Sequence, residues 1–436
     1  MTSLGPIFAD DLARIKPGDR LRLTISAQTS DAAALAQAAL EARARGERVL
    51  VVCADPADVP RLAQEMPWFE PKLDVRPLPD WETLPYDVLS PQEELVSERL
   101  EALYRLTAPT GGADVLLTSA VTASQRLSPV SYIGANTFFF HQGEQISLTT
   151  LQKRLAAAGY ANVKQVLAAG EFAVRGSIVD VFPMGSERPF RLDFFDDEIE
   201  SIRWFDVDTQ RSMESAEEIR LLPGHEFPVD PEALLAFRQR WRREFAGDPK
   251  KSIVYCDIEK EILPPGIEYY LPLFFDETAA LTDYLPPNAR VFLLGDIEAA
   301  LQAFGRDMAS HYKVLAADPQ RPALAPERIW LKPEEFFKSL ANFARFTVEE
   351  KENAEDLKRL TGIEVDRKSQ NPVGKLLERT RESAMKGVRT LIAAPSAGRM
   401  ETMSQLLRTG GLSVEEFPDW QTFLDADSAL GIAAAP

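Results

Sequence analysis

The amino-terminal part of the chain alternates apolar runs with segments of helical character. The runs LRLTI (21–25), RVLVVCA (48–54) and VLLTSA (115–120) contain few polar positions, as strands do when both faces of their sheet are covered. An alanine-rich segment, 31–45, lies between the first two runs, and Gly46 is placed to end that helix. This order of strands and helices predicts an α/β fold with a parallel sheet.

The pattern changes near residue 137. From there to residue 222, short runs alternate apolar and polar positions with period two, and polar turns such as MGSERP separate them. Only one helix is predicted in this stretch, over 148–158, and Gly159 ends it. We therefore expect a small antiparallel α+β domain inserted into the α/β domain.

Helix and strand signals alternate again beyond Pro228, and 284–296 predicts a turn followed by a buried strand. Residues 349–371 are charged and poor in apolar side chains, which is typical of a linker. These patterns predict five segments: the first part of an α/β domain (1–136), the insertion (137–222), the second part of the α/β domain (223–345), a linker (346–371) and a second small α/β domain (372–436).

The last segment contains two motifs that are similar to motifs of the first segment. GERVLVVCA (46–54) followed by PDWET (79–83) resembles GVRTLIAAP (387–395) followed by PDWQT (418–422). The distance between the two motifs is nearly the same in both copies. We interpret the last domain as a possible degenerate repeat of the first; the alternative is coincidence, because a glycine before an apolar strand is common. The chain ends as another apolar run begins, and we expect the complete protein to be longer.

Composition narrows the classes of function. The chain has a net charge of −18, which disfavours a general phosphate-binding surface. Its two cysteines, Cys53 and Cys256, are far apart within apolar runs, so we expect buried free thiols. No signal peptide and no apolar run of about 18 residues is apparent, and we expect a cytoplasmic protein without membrane contact.

The motifs of nucleotide chemistry are missing. A phosphate-binding loop needs glycines, a lysine and a Ser/Thr, but the first strand-to-helix loop is SAQTSDA (26–32). LPLFFDE (271–277) imitates a magnesium-binding strand, yet Pro272 argues against a central strand. The three histidines are widely separated. We therefore predict no catalytic residues, no metal site and no cofactor in these 436 residues.

The stretch PFRLDFFD (189–196) carries a different kind of signal. Phe190, Leu192 and Phe194 share one side of the predicted strand, whereas Arg191 and Phe195 share the other. Pairing with the preceding run would bring Arg175 into the same neighbourhood. Exposed arginine and aromatic side chains are typical of protein–protein hot spots. The alternative is a solvated sheet face with one stray aromatic residue.

Several long motifs resemble one bacterial family. GEFAVRGSIVDVFP, RLDFFDDEIE and FDVDTQRS, together with LPDWETLPYDVLSP and PPGIEYYLPLFF, are similar to the UvrB-homology region of transcription-repair coupling factors, over about residues 10–340. The resemblance implies a RecA/helicase-like parallel-sheet domain that has lost its ATPase. UvrB has an Asp-Glu pair that binds magnesium, and the resemblance places the corresponding position at VFLLGDIEA (291–299). Asp296 is kept there, but Ile297 stands in place of the glutamate.

The resemblance also implies a partner. In this family the inserted domain binds UvrA, the damage-recognising ATPase of nucleotide excision repair, through two arginines and an aromatic residue that match Arg175, Arg191 and Phe195. The segment would then recruit UvrA to stalled RNA polymerase without being an enzyme. Contacts with RNA polymerase and DNA, and the ATP and Mg²⁺ of the translocase, would belong to a later part of the family proteins. Two alternatives stay open: a UvrB-like nucleotide-dependent DNA enzyme, and an autoinhibitory module for the translocase.

Overall fold

A computed structural model of the chain describes residues 14–25, 30–108, 112–350 and 373–436. The strands in these ranges, in chain order, are β1 (Arg20–Ile25), β2 (Val49–Cys53), β3 (Val75–Pro77), β4 (Val115–Ser119), β5 (Phe138–His141), β6 (Ala161–Asn162), β7 (Glu171–Arg175), β8 (Ile178–Val181), β9 (Phe190–Phe195), β10 (Glu198–Phe205), β11 (Ser212–Ala216), β12 (Glu218–Leu221), β13 (Arg290–Leu294), β14 (Ala344–Glu350), β15 (Thr390–Ala394), β16 (Glu415–Phe417) and β17 (Leu430–Ala434).

The α-helices of the same ranges connect these strands or form helical layers of their own. In chain order they are α1 (Ser30–Ala44), α2 (Asp58–Phe69), α3 (Glu93–Thr107), α4 (Ala120–Ser124), α5 (Val130–Ala135), α6 (Leu148–Ala157), α7 (Pro231–Glu244), α8 (Ile253–Glu259), α9 (Ile297–Leu315), α10 (Pro326–Ile329), α11 (Pro333–Ser339), α12 (Gly374–Met385), α13 (Ala397–Thr409) and α14 (Trp420–Asp425). None of the described helices is both long and apolar enough to cross a membrane.

The first domain is built on a six-stranded parallel sheet, which confirms the predicted α/β class. Its strand order is β1-β14-β13-β2-β4-β3. One face packs against α1 and α2, where Leu35 and Leu62 share a core with Val51. The other face packs against α3 and α9, where Leu103 and Leu301 are buried. Both faces of the sheet are therefore covered, which explains the uninterrupted apolar runs.

Strand β14 shows that the predicted linker begins too early. Residues 346–350 pair in parallel with β1, and residues 346–348 also pair in parallel with β13. Phe346 and Val348 alternate into the core of the sheet, whereas the charged neighbours made this segment resemble a linker in the sequence. The remainder of that prediction, residues 351–371, lies outside the described residues.

The insertion is the predicted antiparallel α+β unit with one helix, α6. Its main sheet has the order β11-β10-β9-β8-β7-β6, and β5 pairs with β12 in a separate ribbon. The pairs from β7 to β11 are antiparallel, whereas β6 and β7 run parallel. One face of the main sheet joins the large core shared with the first domain, so the insertion is packed onto its host.

The segment after the insertion differs from the sequence prediction. Helix and strand were expected to alternate beyond Pro228; the buried strand predicted within 284–296 is present as β13, but the described residues 231–284 form α7, α8 and three short 3-10 helices with no strand. Phe237, Trp241 and Tyr255 form a buried aromatic core there with residues of the neighbouring helices. Aromatic side chains one helical turn apart can fill a core between helices, so their apolar signal alone did not identify a strand.

The last domain repeats the topology of part of the first. Its three parallel strands have the order β15-β17-β16, which matches β2-β4-β3 strand for strand in chain order. Each set follows a helix and a glycine in the left-handed region: Gly46 and Gly387 both have φ of 69°. The shared order and turns support the interpretation of an internal repeat.

Aromatic residues join the last domain to the first. Trp420 of α14 packs against Phe69 of α2, with ring centroids 5.9 Å apart. The indole N–H of Trp68 donates to the backbone carbonyl of Ala434 at 3.0 Å, and the Gln421 side chain donates to the carbonyl of Phe69 at 3.1 Å. The contact therefore combines apolar packing with hydrogen bonds at both ends of the aromatic cluster.

The two cysteines are free but are not equally buried. Cys53 lies in the middle of the first domain's core, and burial raises the pKa of its thiol to about 12. Cys256, in α8, is only half-buried, and its thiol donates to the Lys250 carbonyl at 3.4 Å. The expectation of two buried thiols is wrong for Cys256.

Candidate protein-binding site

Two hairpins bring Arg175 and Phe195 to one end of the inserted sheet, and Arg191 lies four residues before Phe195 on the same strand. Strands β7 and β8 are joined by a two-residue turn, Gly176–Ser177, in which Gly176 has φ of 63°. Hairpin turns of this length favour glycine where φ is positive. Because β8 and β9 are also antiparallel, this turn lies at the same end of the sheet as the turn that follows β9.

Phe195 occupies the exposed end of β9. Phe190, Leu192 and Phe194 are buried in the core, whereas Phe195 on the opposite face is 68% exposed. It pairs with Glu198 across a tight turn whose first residue, Asp196, has a left-handed φ of 52°. Aspartate is among the few side chains that tolerate this conformation. The turn therefore fixes the position of an apolar ring in solvent.

Arg175 and Arg191 share a single buried carboxylate. Asp180 lies opposite Arg191 in the pairing of β8 with β9, and its side chain is 0% exposed. The Arg191 Nε donates to Asp180 Oδ1 at 2.6 Å and its Nη2 donates to Oδ2 at 3.0 Å. Arg175 Nη2 also donates to Oδ2. The hydrogen bonds to Asp180 raise the pKa of Arg191, so its positive charge is strongly favoured.

The two arginines differ in exposure. The side chain of Arg175 is 50% exposed, but that of Arg191 is only 14% exposed. Arg191 also donates to the Gln210 carbonyl at 3.1 Å and lies 4.9 Å from the centre of the Phe205 ring. Arg191 and Phe195 do share a face, but Arg191 is not on the open surface that the strand pattern suggested.

Asp180 was missed by the sequence analysis, which treated IVDVF as an apolar run. The available signal was a lone charged residue inside that run, at the position that faces away from Val179 and Val181. A buried aspartate requires a charged or hydrogen-bonding partner, and two arginines were nearby in the predicted hairpins. The register that pairs Asp180 with Arg191 was not visible in the sequence.

Asp296 and Asp276, the aspartates of the two candidate magnesium-binding motifs, both make contacts within the fold. Residues 26–29 of the SAQTSDA loop lie outside the described residues. Asp296 caps α9 by accepting from the Ala299 amide at 3.0 Å, and Ile297 is buried. The apolar part of LPLFFDE is mostly a 3-10 helix, and Asp276 pairs with Arg240 at 2.7 Å. In the described part of the chain, no three His, Cys, Asp or Glu side chains form a group that could hold a metal ion.

Two family models match parts of the chain. Residues 138–227 match the family model described as the UvrB interaction domain. Residues 384–436 match a second model, described as the D3 domain of MFD. The first match contains Arg175, Arg191, Phe195 and Asp180, and its bounds are close to those of the insertion.

Curated relatives share one description. The chain is 42% identical to the transcription-repair-coupling factor of Escherichia coli over 68% of its own length, and 39% identical to that of Haemophilus influenzae over 77%. The Bacillus subtilis protein of the same description is 32% identical over 46% of the chain. The matches cover only 26%, 29% and 18% of these relatives. The chain belongs to the transcription-repair coupling factor family and corresponds to its N-terminal region.

Proposed function

We propose that this segment is a non-catalytic adaptor that recruits UvrA to sites of stalled RNA polymerase. The observation that carries the proposal is the exposed Phe195 beside the half-exposed Arg175, on a domain that matches the UvrB interaction domain. We call Arg175, Arg191 and Phe195 the arginine–phenylalanine surface. In the longer family proteins, we propose that RNA polymerase binding and ATP-driven movement on DNA reside outside this segment.

The physical character of the surface supports a protein partner. An aromatic ring that is held in solvent by a tight turn loses little conformational entropy on binding. Arginine and aromatic residues dominate the energetics of many protein interfaces. The net charge of −18 and the exposed ring of Phe195 fit a compact protein contact better than a nucleic-acid groove.

Binding of purified UvrA to single variants tests the proposal. We expect Arg175→Glu, Arg191→Glu and Phe195→Ala each to weaken binding by about 2 kcal/mol or more, as truncation of hot spots does. Arg188→Glu is the matched control, because Arg188 is an exposed arginine of the same domain in the connection between β8 and β9, at the other end of the sheet. Retention of UvrA by the triple variant at wild-type strength would overturn the proposal.

The non-catalytic part of the proposal rests on separate residues. The Asp296 side chain is used as a helix cap, and the loop SAQTSDA lacks the lysine and glycines of a phosphate cradle. The competing function is that of a UvrB-like nucleotide-dependent DNA enzyme. Titration with labelled ATP in the presence of Mg²⁺, with and without DNA, separates the two. Micromolar affinity for ATP would refute the adaptor proposal in its non-catalytic form.

A further inference from the structure

We propose that Asp180 is the positioning residue of the arginine–phenylalanine surface: it couples Arg175 to Arg191, so that Arg175 presents a fixed guanidinium to a carboxylate of the partner. This inference rests on the proposed function and adds the chemistry by which the partner is recognised. Its basis is the arrangement of two guanidinium groups around one carboxylate that is 0% exposed.

Charge balance makes Arg175 the group available to a partner. Asp180 carries one negative charge, and its Oδ2 atom accepts from both arginines while Oδ1 accepts from Arg191. These three groups together therefore carry one net positive charge, and Asp193, two residues further along β9, interacts with the Arg191 guanidinium. That charge is accessible at Arg175, whose side chain is half-exposed, rather than at Arg191. A partner carboxylate can pair with the remaining N–H groups of Arg175.

The two arginines are held to different degrees. Arg191 has further contacts with the Gln210 carbonyl, the Ser212 hydroxyl and the Phe205 ring. Among the described residues, the polar contact of Arg175 is with Asp180. Arg191 therefore fixes the carboxylate, and the carboxylate in turn fixes Arg175. Without Asp180 the long Arg175 side chain would sample many rotamers and would have to be ordered on binding.

The acidic surroundings make this placement selective. Asp196, Asp197 and Glu198 follow Phe195 directly and are exposed. A partner carboxylate would be repelled by them except where it meets Arg175, while the partner's apolar surface covers Phe195. The recognition element is therefore a carboxylate beside an apolar pocket, rather than an extended acidic surface.

A double-mutant cycle tests the coupling in the full chain, with affinity for purified UvrA and thermal unfolding as the readouts. We expect Asp180→Asn to weaken binding at least tenfold, but less than threefold in the Arg175→Ala background, because it acts through Arg175. A purely structural role would give losses that multiply in the double variant, and that result would overturn the inference. Glu171→Gln is the control: Glu171 lies at the start of β7, at the other end of the strand from Arg175, accepts from the Leu167 and Ala168 amides at 2.7 and 3.0 Å, and its substitution should change affinity less than twofold.

The outcomes separate this inference from the proposed function. If Arg175→Ala and Phe195→Ala leave UvrA binding unchanged, the proposed function fails. If they weaken binding but Asp180→Asn does not, only the positioning role fails. Should Asp180→Asn not fold, Arg191→Lys replaces it in the cycle, because lysine keeps the charge but loses the two-point contact with Asp180. Loss of binding that disappears in the Arg175→Ala background supports the inference, and a multiplicative loss contradicts it.

Discussion

Glu226 and Asp180 are both buried carboxylates that pair with arginine side chains, and they differ in how much of the arginine is exposed to solvent. Glu226 pairs with Arg99, whose side chain is 0% exposed, at 3.0 Å. Arg99 also donates to the Pro79 carbonyl and to the Gln125 side chain, and Trp81 donates to the second oxygen of Glu226. This closed network ties α3 of the first domain to the chain that leaves the insertion.

The network around Asp180 is open on one side. Its carboxylate is as buried as Glu226, but one of its two arginines is half-exposed. A closed network uses its hydrogen-bonding capacity to join parts of the fold, whereas an open one leaves donors for another molecule. The two carboxylates are similarly buried, so the exposure of the partner arginine is what distinguishes the proposed binding site from the structural ion pair.

The largest effect is expected in the closed network. Arg99→Ala would leave the buried carboxylate of Glu226 without its counter-charge, and we expect the free energy of unfolding to fall by about 3–5 kcal/mol. Urea unfolding followed by circular dichroism measures this change. A loss under about 1 kcal/mol would show that the network is not structural.

The buried carboxylate of Glu268 extends the comparison, because it pairs with no arginine among the described residues. Glu268 accepts from the Ser90 hydroxyl at 2.9 Å, and burial raises the pKa of Glu268 to about 7. Its stabilising contribution is therefore complete below about pH 4.5 and is lost as the pH rises through about 7. We expect Glu268→Gln to gain about 2–3 kcal/mol of unfolding free energy relative to wild type between pH 5 and pH 8.

Urea unfolding at both pH values measures this gain. Ser90→Ala serves as the control, since it removes the hydrogen bond but not the ionisable group, and its effect should vary much less with pH. An equal difference between Glu268→Gln and wild type at pH 5 and pH 8 would contradict the prediction.

Within the open network, stability and binding should separate. Arg191→Ala removes the two-point contact with Asp180, and we expect the free energy of unfolding to fall by about 1–2 kcal/mol; Arg175 still neutralises the carboxylate, which limits the loss. Arg175→Ala should leave the unfolding midpoint nearly unchanged while weakening UvrA binding. Denaturation and binding assays on the same two proteins check this pair, and equal stability losses would erase the proposed distinction.

The smallest effect is expected at an exposed pair. The Asp276 side chain, which pairs with Arg240 at 2.7 Å, is 92% exposed. Exposed ion pairs contribute little because solvent screens them. Asp276→Asn should therefore shift neither the urea midpoint nor the response to ATP and Mg²⁺. A change in nucleotide binding would restore LPLFFDE as a functional motif.

The sequence was most informative where the signal is local. Apolar runs predicted the parallel sheet, and the alternation of β9 predicted which side of the strand each residue occupies, because the side-chain period of a strand is fixed. The buried state of Arg191 could not be predicted, since it depends on Asp180 in a neighbouring strand and on Phe205 in another. The same applies to the aromatic helical layer around Trp241, whose apolar residues find partners from distant parts of the chain.

The alternation of β9 also sets how this surface can change in evolution. Side chains of β9 alternate between two faces: packing constrains Phe190, Leu192 and Phe194, whereas the proposed partner contact would constrain Arg191 and Phe195. Insertion of one residue ahead of the strand would turn the core side chains outward and the outward side chains into the core. Point substitutions at the outward positions leave the buried side chains of the strand unchanged. The outward surface can therefore change by substitution, whereas a change in the length of the strand would disrupt its packing in the core.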